Sequence, residues 1–120
     1  MSNEVQGSNV KYDLGERTAL FGESVIDFEK GLSFDIVNDV LIKQVIRSAT
    51  SIGANYCEAD TALTKKEFRH RISISRKEAK ETMHWFRMLA RANEDHADQC
   101  RILFKESKEL VLIFSKILQS

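Results

Sequence analysis

The sequence predicts an all-α fold, an antiparallel up-down four-helix bundle, on three observations. The 120 residues include no proline, so nothing forbids helix interiors on that account. Apolar residues recur at spacings of three and four over most of the chain, and no useful stretch alternates as a half-buried strand does. Short polar breaks divide this pattern into four segments, and helices joined by short loops pack as antiparallel neighbours. The length is that of one domain. Residues 1–10 carry no seam and are expected to be a disordered N-terminus ahead of a single domain over 11–120.

The first helix is expected from about Tyr12 to Lys30, where Leu14, Thr18, Phe21, Val25, Phe28 and Leu32 repeat at steps of four and three as a bundle seam does. Gly15 and Gly22 each weaken it by about 1 kcal/mol relative to Ala, which points to a closely approaching neighbour or a loosely held helix. Gly31 suits a left-handed C-terminal cap, and Ser33 or Asp35 can cap the next start. The second helix, about Asp35 to Ala59, has Val37, Leu41, Val45, Ile52 and Tyr56 on one face. Ile36, Val40, Ile42, Ile46 and Ala49 are spread over the others, so this helix should be central.

"DTALTKKEF" supplies a capping box, Thr64 to Glu67, that starts the third helix at about Lys65. It runs to about Ala92 on a core face of Phe68, Ile72, Ser75, Ala79, Phe86 and Leu89. "NEDHAD" breaks the pattern, with Asn93 and Asp95 as candidate caps. The last helix, about His96 to Gln119, buries Leu103, Ser107, Leu110, Phe114 and Ile117 at heptad steps.

Composition narrows the function classes. Apolar residues make up 42% and charged residues 30%, a globular balance, and no apolar run approaches the ~20 residues of a membrane span. The start, "MSNEVQGSNV", has neither the basic cluster nor the apolar segment of a signal peptide; a cytoplasmic location and no membrane partner are expected. Cys57 and Cys100 read as free thiols filling helix positions as small hydrophobes. With 18 basic and 18 acidic residues, no overall field drives the chain onto polyanions. Charge is nevertheless uneven: residues 65–93 hold nine Lys or Arg against three Glu, and residues 12–33 hold five acidic against two basic residues.

Catalytic constellations are weak. Glu67–His70 and Glu81–His84 have the Glu-x-x-His form of di-iron bundle ligands, which place one such motif on each of two helices. Here both lie on one helix, about 21 Å apart along its axis, so they cannot share a metal and read as solvated. No serine or cysteine has an inward histidine beside it, and no glycine-rich phosphate loop occurs. No cofactor, metal or catalytic residue is expected.

Three groups of residues are more informative. On a helical wheel of about 100° per residue, Lys66, Arg69, Arg76, Lys77, Lys80, Arg87 and Arg91 fall on one stripe of the third helix. Such a stripe can follow a phosphate backbone, or be a solvated face paired with the acidic first helix or with another subunit. On its other flank Ile74, Trp85 and Met88 lie off the core face, either at a subunit interface or against a flanking helix of the same chain. Finally, Arg47, Ser48, Ser51, Asn55 and Glu58 make one polar ridge on the second helix. Buried polar groups need partners, so Arg47 and Glu58 are expected to bond across to a neighbouring helix or subunit, with Asn55 and Ser48 or Ser51 satisfying nearby groups. A register-fixing network is the favoured reading, and a ligand site the competing one.

With these segments placed, "VIRSATSIGANYCEADTALTKKEFRHRISISRKEAKETMHWFRML" resembles a group of small bacterial four-helix-bundle proteins, the ribosomal RNA intervening-sequence proteins. The most specific parts are Ser51-Ile52 followed by Asn55 and Glu58, Lys65-Lys66-Glu67-Phe68, and Lys77-Glu78-Ala79 with Glu81 and Trp85. "YDLGERT" fits the opening, and the resemblance runs from about Tyr12 to the C-terminus. It implies an up-down bundle assembling into a ring, with pentamers known in the family, and no particular reaction. A related accessory protein of diversity-generating retroelements has a basic surface that engages nucleic acid and a reverse transcriptase. The expectation is therefore a non-enzymatic homo-oligomeric scaffold or adaptor, with an RNA- or DNA-binding accessory module as the alternative. This chain departs from that accessory protein in its neutral net charge, which leaves the stripe on the third helix as the one place for such contacts.

Overall fold

The computed structural model describes residues 10–120, with side chains from Leu14 onward. Four helices follow one another: α1 Val10–Lys30, α2 Ile36–Asp60, α3 Lys65–Ala92 and α4 Ala97–Gln119, with a single 3-10 turn, Glu94–His96, before the last. No strand occurs among the described residues. The expected disorder at the N-terminus falls mostly outside them, and α1 already includes Val10.

Burial follows the expected seams. Leu14, Thr18, Phe21, Val25 and Phe28 of α1 meet Val45, Ala49, Ile52 and Tyr56 of α2, Ile72, Ala79, Phe86 and Leu89 of α3, and Leu103, Leu110 and Phe114 of α4 in one core. Burying a large apolar side chain contributes about 1.5–3 kcal/mol, whereas an exposed ion pair contributes up to about 1 kcal/mol. The seams therefore dominate the fold. Phe28 meets Phe86 edge-on with centroids 5.8 Å apart, tying α1 to α3. Between α1 and α4, Arg17 donates to both carboxylate oxygens of Glu106 at 2.8 and 2.9 Å. This bond, more than the nearby negative charge, raises the Arg17 pKa above its ordinary value.

Close packing explains one group of glycines. A Cβ on Gly53 would stand 3.2 Å from the Thr18 hydroxyl, while Cβ atoms on Gly15 and Gly22 would meet α2 at 3.8 and 3.7 Å. The α1–α2 contact is thus tightest at Gly53, on the opposite helix from the two glycines that the seam singled out.

Starts and stops differ in detail from expectation. Asp35 accepts from the Asn38 backbone at 2.8 Å and Thr64 from the Glu67 backbone at 3.0 Å, so both expected N-caps form. Gly31 does not take the left-handed conformation: no described glycine has positive φ. The turn closes instead through Gly31 N–H to Phe28 O and Leu32 N–H to Glu29 O. Asn93 and Asp95 do not cap α4, which begins after His96 without a side-chain cap. The Asn93 amide is engaged elsewhere. It exchanges two 2.8 Å hydrogen bonds with the fully buried Asn38 amide, and each amide also bonds a backbone carbonyl, Ser33 O for Asn38 and Leu89 O for Asn93.

Cross-links between α2 and α3 occur at Asn38–Asn93, Ser48–Thr82 and Asn55–Arg71. Positions rising along α2 meet positions falling along α3. This register places both candidate faces described next.

Candidate functional site

The polar ridge of α2 borders α3 instead of lying beneath it. Arg47 donates to Glu78 at 3.3 Å and to Glu81, with its own side chain half exposed and Glu78 13% exposed. Glu81 also accepts from the Trp85 indole N–H at 3.0 Å, so one carboxylate joins the two groups of residues that the sequence kept apart. Ser48 is fully buried, with its hydroxyl 2.8 Å from that of Thr82. Each hydroxyl also faces a backbone carbonyl of its own helix, Val45 O at 3.3 Å for Ser48 and Glu78 O at 2.8 Å for Thr82, so one of the two donates across to the other. Asn55 donates to Ser51 O and Oγ at 3.0 Å and accepts from Arg71 at 3.1 Å.

Burial of the whole ridge is corrected. Arg47 and Glu58 are exposed, and Glu58 has no ion pair among the described residues. The wheel located the ridge but not the helix beside it: at the border of a two-helix contact, the long side chain of Arg47 reaches sideways while Glu58 looks outward.

Apolar groups extend this face. Ile74, Trp85 and Met88 are half-buried, and Trp85 packs against the core, so they are less exposed than an open apolar patch. Exposed apolar residues cluster instead at the start of α2 and in the loop before it, at Phe34 (90%), Ile36 (82%), Val37 (53%) and Val40 (55%), while Leu20, Ile26, Leu63, Ile102 and Leu112 are exposed elsewhere. The expected burial of this helix on nearly all sides does not hold: in its first turns Asn38 is buried while Ile36, Val37 and Val40 are left uncovered by the described residues, and further along Lys43, Arg47, Thr50, Ala54, Cys57 and Glu58 are exposed. Ile36 and Val40 fall within about 60° of Arg47, Ser51 and Glu58 on the α2 wheel, and Ile74, Glu78, Glu81, Trp85 and Met88 within about 80° on the α3 wheel. Val40 lies between the Asn38–Asn93 and Ser48–Thr82 links, as do Trp85 and Met88. One face thus combines an ionic centre with an apolar end.

The basic stripe occupies the opposite flank of α3. Lys66, Lys77, Lys80, Arg87 and Arg91 are exposed, Arg69 and Arg76 half-buried. None of the seven makes an ion pair with α1 or with any other described residue. Arg76 instead donates to the Ser115 hydroxyl of α4 at 3.5 Å, and Ser73, Arg76, Lys77 and Lys80 line an open groove with Val111 and Ser115. The α4 wall of this groove escaped the sequence reading, which scored each helix alone; α4's own charges at heptad spacing were the available signal.

The remaining candidates stay apart. His70 and His84 are exposed, with His84 edge-on to Trp85 at 5.0 Å, and no group of three His, Cys, Asp or Glu among the described residues could hold a metal. Cys57 is exposed, contrary to its reading as a buried hydrophobe, because α2 turns that side to solvent. Cys100 is buried, which pushes its thiol up to about 11. No described helix is long and apolar enough to cross a membrane.

With both faces placed, the comparison with known families becomes informative. The model of the 23S rRNA-intervening sequence protein family matches residues 11–116. The chain belongs to this family. Both faces, from Ile36 to Ser115, lie inside the matched span. Among solved structures, the chain is similar to a protein of unknown function from the S23 ribosomal protein family of Bacteroides thetaiotaomicron VPI-5482. It is 28% identical, with a TM-score of 0.79, and the match covers 89% of this chain and 99% of that one. No curated protein matches. Neither the intervening-sequence family nor this neighbour carries an enzymatic description.

Proposed function

We propose that the protein is a non-enzymatic, cytoplasmic scaffold or adaptor, an antiparallel up-down four-helix bundle whose copies associate through the α2–α3 face. The resemblance to intervening-sequence proteins makes a ring of five the expected assembly. The observation that carries this reading is the exposure of Ile36 and Val40 at 82% and 55% on the ridge that holds Arg47. Apolar side chains beside a tryptophan, a methionine and an arginine are the composition that subunit interfaces favour. Covering the face would also remove water from the half-exposed Arg47–Glu78–Glu81 cluster and fix the register of the copies.

Trp85 is the single tryptophan and reports on this face directly. Ile36→Lys with Val40→Lys should leave the helical circular dichroism unchanged, since both side chains are exposed. The same variant should reduce the assembly to single chains and red-shift the Trp85 emission. An assembly of unchanged mass in this variant removes the α2–α3 face from the proposal.

A second reading, an RNA- or DNA-binding accessory module, is favoured by seven cations of α3 that make no ion pair with any carboxylate among the described residues. A nucleic acid, or an enzyme acting on one, is then the partner of the α3 stripe, while self-association uses the other flank. The two readings are compatible in one molecule.

A further inference from the structure

We propose that the groove between α1 and α4 docks a basic amphipathic helix of another protein. This surface is separate from the α2–α3 face and from the cations of α3, and the proposal does not depend on self-association. The floor of the groove is apolar: Leu20 and Phe21 of α1 face Ile102 and Leu103 of α4 along it. Phe21 and Leu103 belong to the core, whereas Leu20 is 51% and Ile102 65% exposed. Large apolar side chains left open on both walls of one groove suit the apolar stripe of a docked helix.

The rim of the groove is acidic. Arg17 and Glu106 both line it, and their ion pair is the one side-chain link between α1 and α4 among the described residues. That pair satisfies itself and leaves the other carboxylates unmatched. Glu16 lines the groove. Asp27 stands one heptad beyond Leu20, on the same side of α1. Glu109 stands one turn beyond Glu106 on α4, close enough to act electrostatically on Arg17. All three are exposed, and none makes an ion pair among the described residues. The nearest lysines are turned away: on the helical wheels Lys30 falls about 80° from Leu20 on the side opposite Phe21, and Lys105 about 60° from Ile102 on the side opposite Glu106. From Glu16 to Asp27 the rim runs roughly 16 Å along α1, three turns of a docked helix.

The chain's own segments do not match this groove. Residues 1–9, MSNEVQGSN, hold Glu4 as their one charged side chain and Met1 and Val5 as their only large apolar ones. The exposed apolar group at Phe34–Val40 of a second copy carries Asp35 and the Asp39–Lys43 pair, so it brings no positive charge to an acidic rim, where complementary potentials are needed. The cationic stripe of a second copy's α3 has the charge but no exposed large apolar side chain. An amphipathic helix with lysine or arginine flanking its apolar stripe supplies both.

The test uses an 18-residue synthetic peptide with leucines spaced three and four apart and lysines at the other positions, followed by fluorescence anisotropy with the full chain. It should bind at least tenfold tighter than the same peptide with glutamate in place of lysine. Leu20→Gln and Ile102→Gln should each weaken this binding at least tenfold and leave the helical circular dichroism unchanged, because both side chains are exposed. Glu16→Gln combined with Glu109→Gln should weaken it and flatten its salt dependence. Equal binding of the two peptides overturns the basic partner. Binding that Leu20→Gln and Ile102→Gln both leave unchanged, or no binding at 50 mM salt, removes the groove as a docking site. A lower particle mass by light scattering in Ile102→Gln assigns the groove to a second copy and overturns the separate partner.

Discussion

Asn38 and Asn93 exchange paired amide hydrogen bonds at the end of the α2–α3 contact, with the Asn38 side chain wholly buried. A buried amide left without its partner costs about 1–3 kcal/mol. Asn93→Ala strands the Asn38 carbonyl and should destabilise the chain by roughly 2 kcal/mol, a fall in melting temperature on the order of 6–10 °C by circular dichroism. A melting temperature within about 2 °C of wild type would show that water replaces the lost bond. This pair was not legible in the sequence, because Asn93 occupies a break where an N-cap reading is the local default. Its actual partner lies 55 positions earlier, and no local pattern encodes that distance. Ser48 and Asn55 were legible as polar groups needing partners, but the identity of Thr82 and Arg71 required the register.

At the scale of elements, a single contact distance decides how α1 meets α2. Gly22→Ala adds a Cβ at ordinary contact with Thr50, and Ala favours the helix by about 1 kcal/mol. Gly53→Ala gains the same propensity but pushes on Thr18, whose hydroxyl is held by Leu14 O at 2.9 Å and Gly15 O at 3.1 Å. Urea unfolding should therefore find Gly22→Ala more stable than wild type by up to about 1 kcal/mol, and Gly53→Ala less stable than Gly22→Ala. Equal stabilisation by both would mean that α1 rides more loosely on α2 at Gly53 than at Gly22. The four helices were legible because Leu14 to Phe28 and Leu103 to Phe114 keep an unbroken seam, and periodicity of that length is a tertiary signal written locally. The first turns of α2 were misread for the same reason. An apolar pattern such as Ile36–Val40 reports that a side chain seeks cover, not whether the cover belongs to the same chain.

Across the whole molecule, charge is sorted by face although it sums to zero. Glu78 and Glu81 of α3 turn to Arg47, Glu106 of α4 turns to Arg17, and Arg76, Lys77 and Lys80 of α3 line the groove beside Val111 and Ser115 of α4. Half of this sorting was visible on the α3 wheel, and the other half depends on which side of α4 faces α3. One helix thereby serves two surfaces: its acidic, apolar flank with α2, and its basic flank with α4. The proposed assembly through the first surface is the claim on which the rest depends. Multi-angle light scattering across a hundredfold dilution tests it most directly. A uniform particle of about five times the 13.8 kDa chain mass is predicted, and a single-chain mass at every concentration would contradict it.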